Sequence, residues 1–149
     1  MNPIGVYIAG ASAELERCER AVAAARERGL HVTHDWTVSV RANLAAGVRD
    51  VDLPSDTVAR HAYEDLTGVR DARVVVLLVP APHVASTGCW VELGYALAIG
   101  RRVVLSADLV TRRCIFESLA SVRAATDADA VALAAMFCGV LSGRVEERP

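Results

Sequence analysis

Two spacings of apolar residues alternate along this chain. Short apolar runs occur in residues 4 to 9, "IGVYIA", in 72 to 80, "ARVVVLLVP", where Val74 to Val79 are continuous, and in 101 to 106, "RRVVLS". Between them, apolar positions recur every three or four residues. Short β-branched runs predict strands buried on both faces of a parallel sheet, and the intervening periodicity predicts amphipathic helices. The first run ends at Gly10 and Ser12. A helix carrying Leu15, Cys18, Val22 and Ala25 on one stripe follows and is closed by Gly29. "LHVTHDW", residues 30 to 36, reads as a second strand. Residues 38 to 55 have weak periodicity, with Gly47 and Pro54, and read as an excursion over the surface. Ser55 or Asp56 then caps a helix carrying Val58, Ala62 and Leu66.

The run at 72 to 80 is the third strand. A helix over residues 88 to 100 leads to the fourth strand at 101 to 106, and "SVRAAT" at 121 to 126 predicts a short fifth. Asp127 caps the last helix, "ADAVALAAMFCGVLSG". Strands alternating with helices predict a doubly wound α/β fold, a flavodoxin-like parallel sheet of four or five strands with helices on both faces, as a single domain over residues 1 to 149. Such a sheet binds its ligand outside the carboxyl ends of its strands, which nominates the loops at 9 to 13, 34 to 41, 80 to 90 and 106 to 113.

Composition narrows the chemistry. The chain is 53% hydrophobic and 23% charged, the balance of an ordinary globular protein with disorder expected only at the closing "RVEERP". No apolar run reaches the roughly 20 residues that a membrane helix needs, and no signal peptide is evident, so a cytoplasmic protein without a membrane partner is expected. A net charge of −2 without a basic block argues against a nucleic-acid partner and for a small-molecule one. All 16 basic residues are arginine, so neither a Schiff-base lysine nor a phosphate-loop lysine is available. The scattered cysteines, Cys18, Cys89, Cys114 and Cys138, form no C-x-x-C pair. They read as mostly reduced core thiols, with no metal site and no cofactor expected.

Three polar residues stand out. Glu92 falls one turn inside the predicted helix at 88, and helical side chains lean toward the N-terminus. The position it leans over is Gly88, which has no side chain to obstruct it. Glu92 is therefore either a crevice carboxylate or a solvated residue near a favourable helix end. Ser86 and Thr87 place hydroxyls beside free backbone N–H groups, an arrangement suited to an anion or to simple capping. Asp65 either lies near the apolar face of the helix from 56 or caps a short helix "LTGVRDA". Tyr7, in the first strand, needs a polar partner if buried. Trp36 offers a flat wall for a base or covers the sheet edge. His31 and His34 fall on opposite faces of a strand and do not suggest a shared metal. "GAS" at 10 to 12 lacks a full G-x-G-x-x-G, so a Rossmann dinucleotide is not indicated.

"VYIAG", "YEDLTGVRDARVVVLLV" and "STGCWVELGYALAIGRRVVL" together resemble the nucleoside 2-deoxyribosyltransferase superfamily, which includes 2-deoxynucleoside 5-phosphate N-hydrolases and cytidylate N-glycosidases. The resemblance spans roughly residues 4 to 106. It implies that Glu92 is the nucleophile at the anomeric carbon, that Tyr7 orients or tunes it, and that Asp65 assists near the base or sugar. It also implies that Gly10, Ala11 and Ser12 line the sugar or phosphate site, and that the protein is a homodimer or higher homo-oligomer acting on a nucleoside or nucleotide. Ser86 stands where the transferases carry an aspartate and the nucleotide N-hydrolases a serine taken to hold a 5-phosphate. The transferases' C-terminal asparagine has no clear counterpart in "SGRVEERP", so hydrolysis is favoured over base transfer. "SxxCWVEL" is also similar to the S-x-W-C-x-x-E-L box of TIR domains, which cleave nicotinamide from NAD, with Cys89 and Trp90 in swapped order. A non-catalytic nucleotide-binding module is the remaining reading.

Overall fold

A computed structural model describes residues 5–107 and 112–140. The chain runs β1 (Gly5–Ala9), α1 (Leu15–Glu27), β2 (His31–Val32), α2 (Thr37–Ala45), α3 (Ser55–Asp71), β3 (Val74–Leu78), α4 (Gly88–Ala98), β4 (Arg102–Ser106), β5 (Val122–Ala124) and α5 (Asp127–Phe137). Short 3-10 turns occupy Ser12–Glu14, Asp50–Asp52 and Ile115–Leu119. The five strands form one sheet in the order β2-β1-β3-β4-β5, and every pairing is parallel. This is the flavodoxin-like order expected from the alternation of elements.

Right-handed crossovers explain where the helices go. From β1 the chain steps outward to β2 in one direction, and from β3 it steps outward to β4 in the other, so α1 and α4 cover opposite faces. Accordingly α1 packs against α5, and α3 packs against α4. The two central strands, β1 and β3, are buried at every position. That double burial is why β3 reads as a continuous apolar run rather than an alternating one.

A polar clamp ties three elements together at the strands' carboxyl ends. Arg17 of α1 makes a bidentate pair with Asp127 at the start of α5, both bonds 2.8 Å, and donates to the Val79 carbonyl beyond β3 at 2.9 Å. Ser106, at the end of β4, also donates to Asp127. Burial pushes the Asp127 carboxyl up, but these two donors and the guanidinium charge outweigh it and hold the pKa below the ordinary value.

Several local expectations are corrected. Residues 38 to 55 do run largely over the surface, but with regular structure that weak periodicity did not predict, since most of α2 and a 3-10 turn fall there. Helix α2 buries only Thr37 and Val40, so its apolar residues never build a stripe that periodicity can detect. Neither Ser55 nor Asp56 caps α3; the cap position is Pro54, whose φ of −52° leads into the helix. Asp127 is the first residue of α5, and the cap is Thr126, which accepts from the Asp129 N–H at 3.1 Å. Asp127 is instead held by Arg17. The second strand keeps only two residues, because Thr33 turns its hydroxyl to the Gly68 carbonyl at 2.7 Å as the chain leaves the edge. Helix α5 ends at Phe137, and the rest of its expected span beyond Val140 lies outside the described residues, as does "RVEERP".

Candidate active site

Tyr7 sits at the centre of β1, fully buried, with its ring on the face covered by α3 and α4. Its phenol donates to Glu92 Oε1 at 2.7 Å. Glu92 is only 8% exposed and lies one turn into α4, its side chain leaning back toward the helix start. A Cβ placed at Gly88 would meet nothing within 4 Å, so the space before the carboxyl is open. Burial pushes the Glu92 pKa up to about 8; the Tyr7 hydrogen bond works against this and the Asp65 charge works with it. The Tyr7 pKa is raised well above its ordinary value, by burial first and then by the Glu92 and Asp65 charges. The phenol is therefore a fixed donor.

Asp65 belongs to the interior of one continuous helix, α3, which overturns the capping alternative. One turn further along α3, Gly68 lets the helix press onto the sheet: a Cβ there would lie 2.6 Å from His34 Cβ and 2.8 Å from the Tyr7 ring. That close approach brings Asp65 within electrostatic reach of both Tyr7 and Glu92. It also sets Asp65 Oδ1 3.4 Å from Nε2 of His34. The hydrogen bond that His34 donates to Asp65 raises the His34 pKa against an opposing desolvation.

Glu92, Asp65 and His34 open into one cleft of about 440 Å³, whose lining also includes Gly10, Ser12, Trp36, Ser86, Thr87 and Gly88; Tyr7, fully buried, does not line it and reaches it only through Glu92. Gly10 is required where it is because a Cβ there would fall 2.6 Å from Cys18 Sγ on α1. Trp36 is buried and anchored by its Nε1, which donates to the Ile8 carbonyl at 2.8 Å, leaving part of its ring as cleft wall. The Ser86 hydroxyl donates to Cys89 Sγ at 3.3 Å, and burial raises that thiol's pKa. No side chain caps α4, and Ser86, Thr87, Gly88 and Cys89 at its start all line the cleft. Ala11 is buried and does not line the cleft.

Three of the four nominated loops supply lining residues; from 106 to 113 none of the described positions does, and 108–111 lie outside the described residues. Sequence reasoning weighed His34 only as a metal ligand and passed over His61, Asp50 and Glu64, which also line the cleft. For His34 the signal was its place at a strand's carboxyl end. For His61 and Glu64 there was none, because α3 shows the cleft a mixed polar face. Among the described residues no group of three or more His, Cys, Asp or Glu is placed to hold a metal, and no helix is long and apolar enough to cross a membrane. The four cysteines are free thiols, three of them buried.

Over residues 6–125 the chain matches the nucleoside 2-deoxyribosyltransferase family, and it belongs to that family, whose members are glycosidase-like or transferase-like enzymes of nucleosides and nucleotides. Among solved structures it is similar to the CMP N-glycosidase BcmB of Clostridium botulinum, with a TM-score of 0.53 at 16% identity, covering 89% of this chain and 98% of that one. At that identity the likeness concerns the fold. No curated protein matches the sequence.

Proposed function

We propose that the protein cleaves the bond between base and sugar in a nucleoside or nucleoside 5′-monophosphate, with Glu92 as the nucleophile and water as the final acceptor. The observation that carries this reading is a single carboxyl, buried at the floor of an open cleft and held by a buried phenol at 2.7 Å. Loss of a base from C1′ develops positive charge on the sugar. A carboxylate beneath the ring stabilises that charge and captures it as a covalent glycosyl intermediate. The same developing cation favours the ionised form of Glu92 that burial disfavours. The Tyr7 phenol orients the carboxylate. Gly10 and Ser12 line the sugar, and the ring of Trp36 forms a flat wall for the base. Ser86, Thr87 and the uncapped start of α4 receive the 5′ end, where backbone N–H groups suit a phosphate. Hydrolysis needs only water in the second step, whereas transfer needs room and recognition for a second base.

The test is incubation with a panel of nucleosides, nucleoside monophosphates and NAD, followed by chromatography for free base. Base released from nucleosides or monophosphates, and lost in Glu92→Gln, supports the proposal. Nicotinamide alone would favour a TIR-like NAD glycohydrolase, and binding without any release a regulatory module. Unchanged turnover in Glu92→Gln removes the nucleophile assigned here.

A further inference from the structure

Beside the cleft lies a second hollow of about 320 Å³, walled by α2 and by the chain that returns from it. Just past α2, Gly47 takes a φ of +70°, the left-handed conformation that glycine favours, and the chain doubles back with the Val48 N–H donating to the Asn43 carbonyl at 2.9 Å. Leu44 of α2 and Val48 and Val51 of the returning chain line the hollow, and Ala13, in the turn ahead of α1, supplies a further side.

Polar contacts hold these walls in place. The Asn43 side chain donates to Asp50 Oδ1 at 2.6 Å, Arg49 makes a bidentate pair with Asp52 at 2.6 and 3.0 Å, and Arg41 of α2 donates to Glu19 of α1 at 2.9 Å. None of these bonds needs the hollow to be filled. Leu44 is nevertheless 54% exposed and Val51 76%. Apolar side chains left in water around a concave surface gain free energy when an apolar group covers them.

The hollow is continuous with the cleft, since Ser12, Val40, Asp50 and Val51 line both. Trp36, Val40 and Leu44 follow one another at intervals of four along α2 and so share one face of the helix. The flat wall proposed for the base therefore runs on into the hollow. Glu92, Ser86 and Thr87 line the cleft alone, which sets the hollow apart from the nucleophile and from the 5′ end. Resting on the glycosidase reading above, we infer that this hollow receives an apolar substituent on the base, so that the preferred substrates are nucleosides or nucleotides whose base carries an alkyl or aryl group. Such a group is remote from the bond that breaks. Its burial is the same before and during the reaction, so it lowers KM and Kd and leaves kcat nearly as it was.

The test compares matched pairs: adenosine with N6-butyladenosine, cytidine with N4-butylcytidine and uridine with 5-butyluridine, each also as the 5′-monophosphate. Calorimetry in Glu92→Gln gives Kd without turnover, and wild type gives KM and kcat. A fully buried methylene contributes about fourfold in affinity, so in at least one pair the butyl group should lower Kd and KM by about tenfold or more, with kcat changed by less than about threefold. Two substitutions at exposed positions, each made in the Glu92→Gln background and checked for an unchanged thermal transition, should bring the Kd ratio within that pair close to one: Leu44→Asp, which charges the wall, and Ala13→Phe, which fills the space. Butyl compounds that bind no tighter than plain ones in every pair, or an advantage that survives both substitutions, overturns the inference. A change in sedimentation on Leu44→Asp with the Kd ratio untouched also overturns it and assigns the hollow to a second copy of this chain. Tight, Leu44-dependent binding without release of base keeps the hollow and removes the glycosidase reading, whereas release of base with equal Kd in every pair does the reverse.

Discussion

The hydrogen bond from Tyr7 to Glu92 joins two groups whose pKa values are both raised by burial, and it acts on only one of them in the useful direction. By donating, the phenol lowers the Glu92 pKa from where burial alone would set it. Tyr7→Phe should therefore move the ionisation of Glu92 above its present value of about 8, so that the acid limb of the activity profile shifts to higher pH while the plateau falls by about 10- to 100-fold. A kinetic pH titration reads both. Glu92 also makes a statement about stability. Its folded pKa lies above the ordinary carboxyl value of 4.5, so the folded state holds a proton that the unfolded chain has released, and stability falls as pH rises from about 4.5 to about 8. Glu92→Gln removes that dependence. The variant should melt higher than wild type at pH 9, by roughly 3–5 kcal/mol at most, with the advantage gone near pH 4. Calorimetry at the two pH values checks the sign.

Helix α3 shows how an element is placed by one residue. Its first half is largely solvent-facing, and its only buried positions are Gly68 and Val69. The contact that seats it is the bare Cα of Gly68 against His34 and Tyr7. Gly68→Ala adds a methyl group into space already occupied by a side-chain Cβ and an aromatic ring fixed in a buried strand. The expected cost is about 1–3 kcal/mol in a denaturant titration. Activity should fall further than stability, since the methyl displaces both Tyr7 and the His34–Asp65 pair. A Gly68→Ala variant that melts early yet turns over normally would show that α3 is not what aligns these groups. The Arg17 clamp acts between elements rather than at the site. Arg17→Ala leaves the Asp127 carboxylate with Ser106 as its side-chain donor, removes the bond to the Val79 carbonyl and takes away the polar link between α1 and α5. A loss of roughly 1–3 kcal/mol is expected near neutral pH. Because the Asp127 pKa is depressed, its stabilisation is present above the ordinary carboxyl value and fades as pH falls, so the gap between variant and wild type should narrow below about pH 4.

For the whole molecule, the cleft gathers residues from α2, α3, α4 and the segments beyond the carboxyl ends of β1, β2 and β3, so occupancy ties these elements together. A ligand that binds there without being consumed should stabilise the entire fold by mass action. In Glu92→Gln, the substrate that wild type cleaves should raise stability by about 2.7 kcal/mol at a hundredfold excess over its Kd, whereas a nucleobase alone should do so more weakly. Thermal shift against ligand concentration measures this, and no shift with any nucleoside or nucleotide would count against the cleft as the substrate site.

The sequence by itself determined the layered architecture. Runs such as "ARVVVLLVP" can be satisfied only by burial on both faces of a parallel sheet, and their alternation with helical stripes leaves few topologies. It also determined Glu92 as the residue to watch, because helix geometry one turn after a glycine is a local property. Helix α2 was invisible because it buries too little to leave a periodic trace, and the cap of α5 was misplaced by one residue because Asp127 was engaged by Arg17, 110 positions away. The site's electrostatics were decided by tertiary structure alone. The encounter of Tyr7 with Glu92 across 85 positions, and the approach of α3 that sets His34 against Asp65, depend on how elements cross in space. Burial and neighbouring charge, which set whether a carboxyl is an acid or a nucleophile, exist only once those crossings are made.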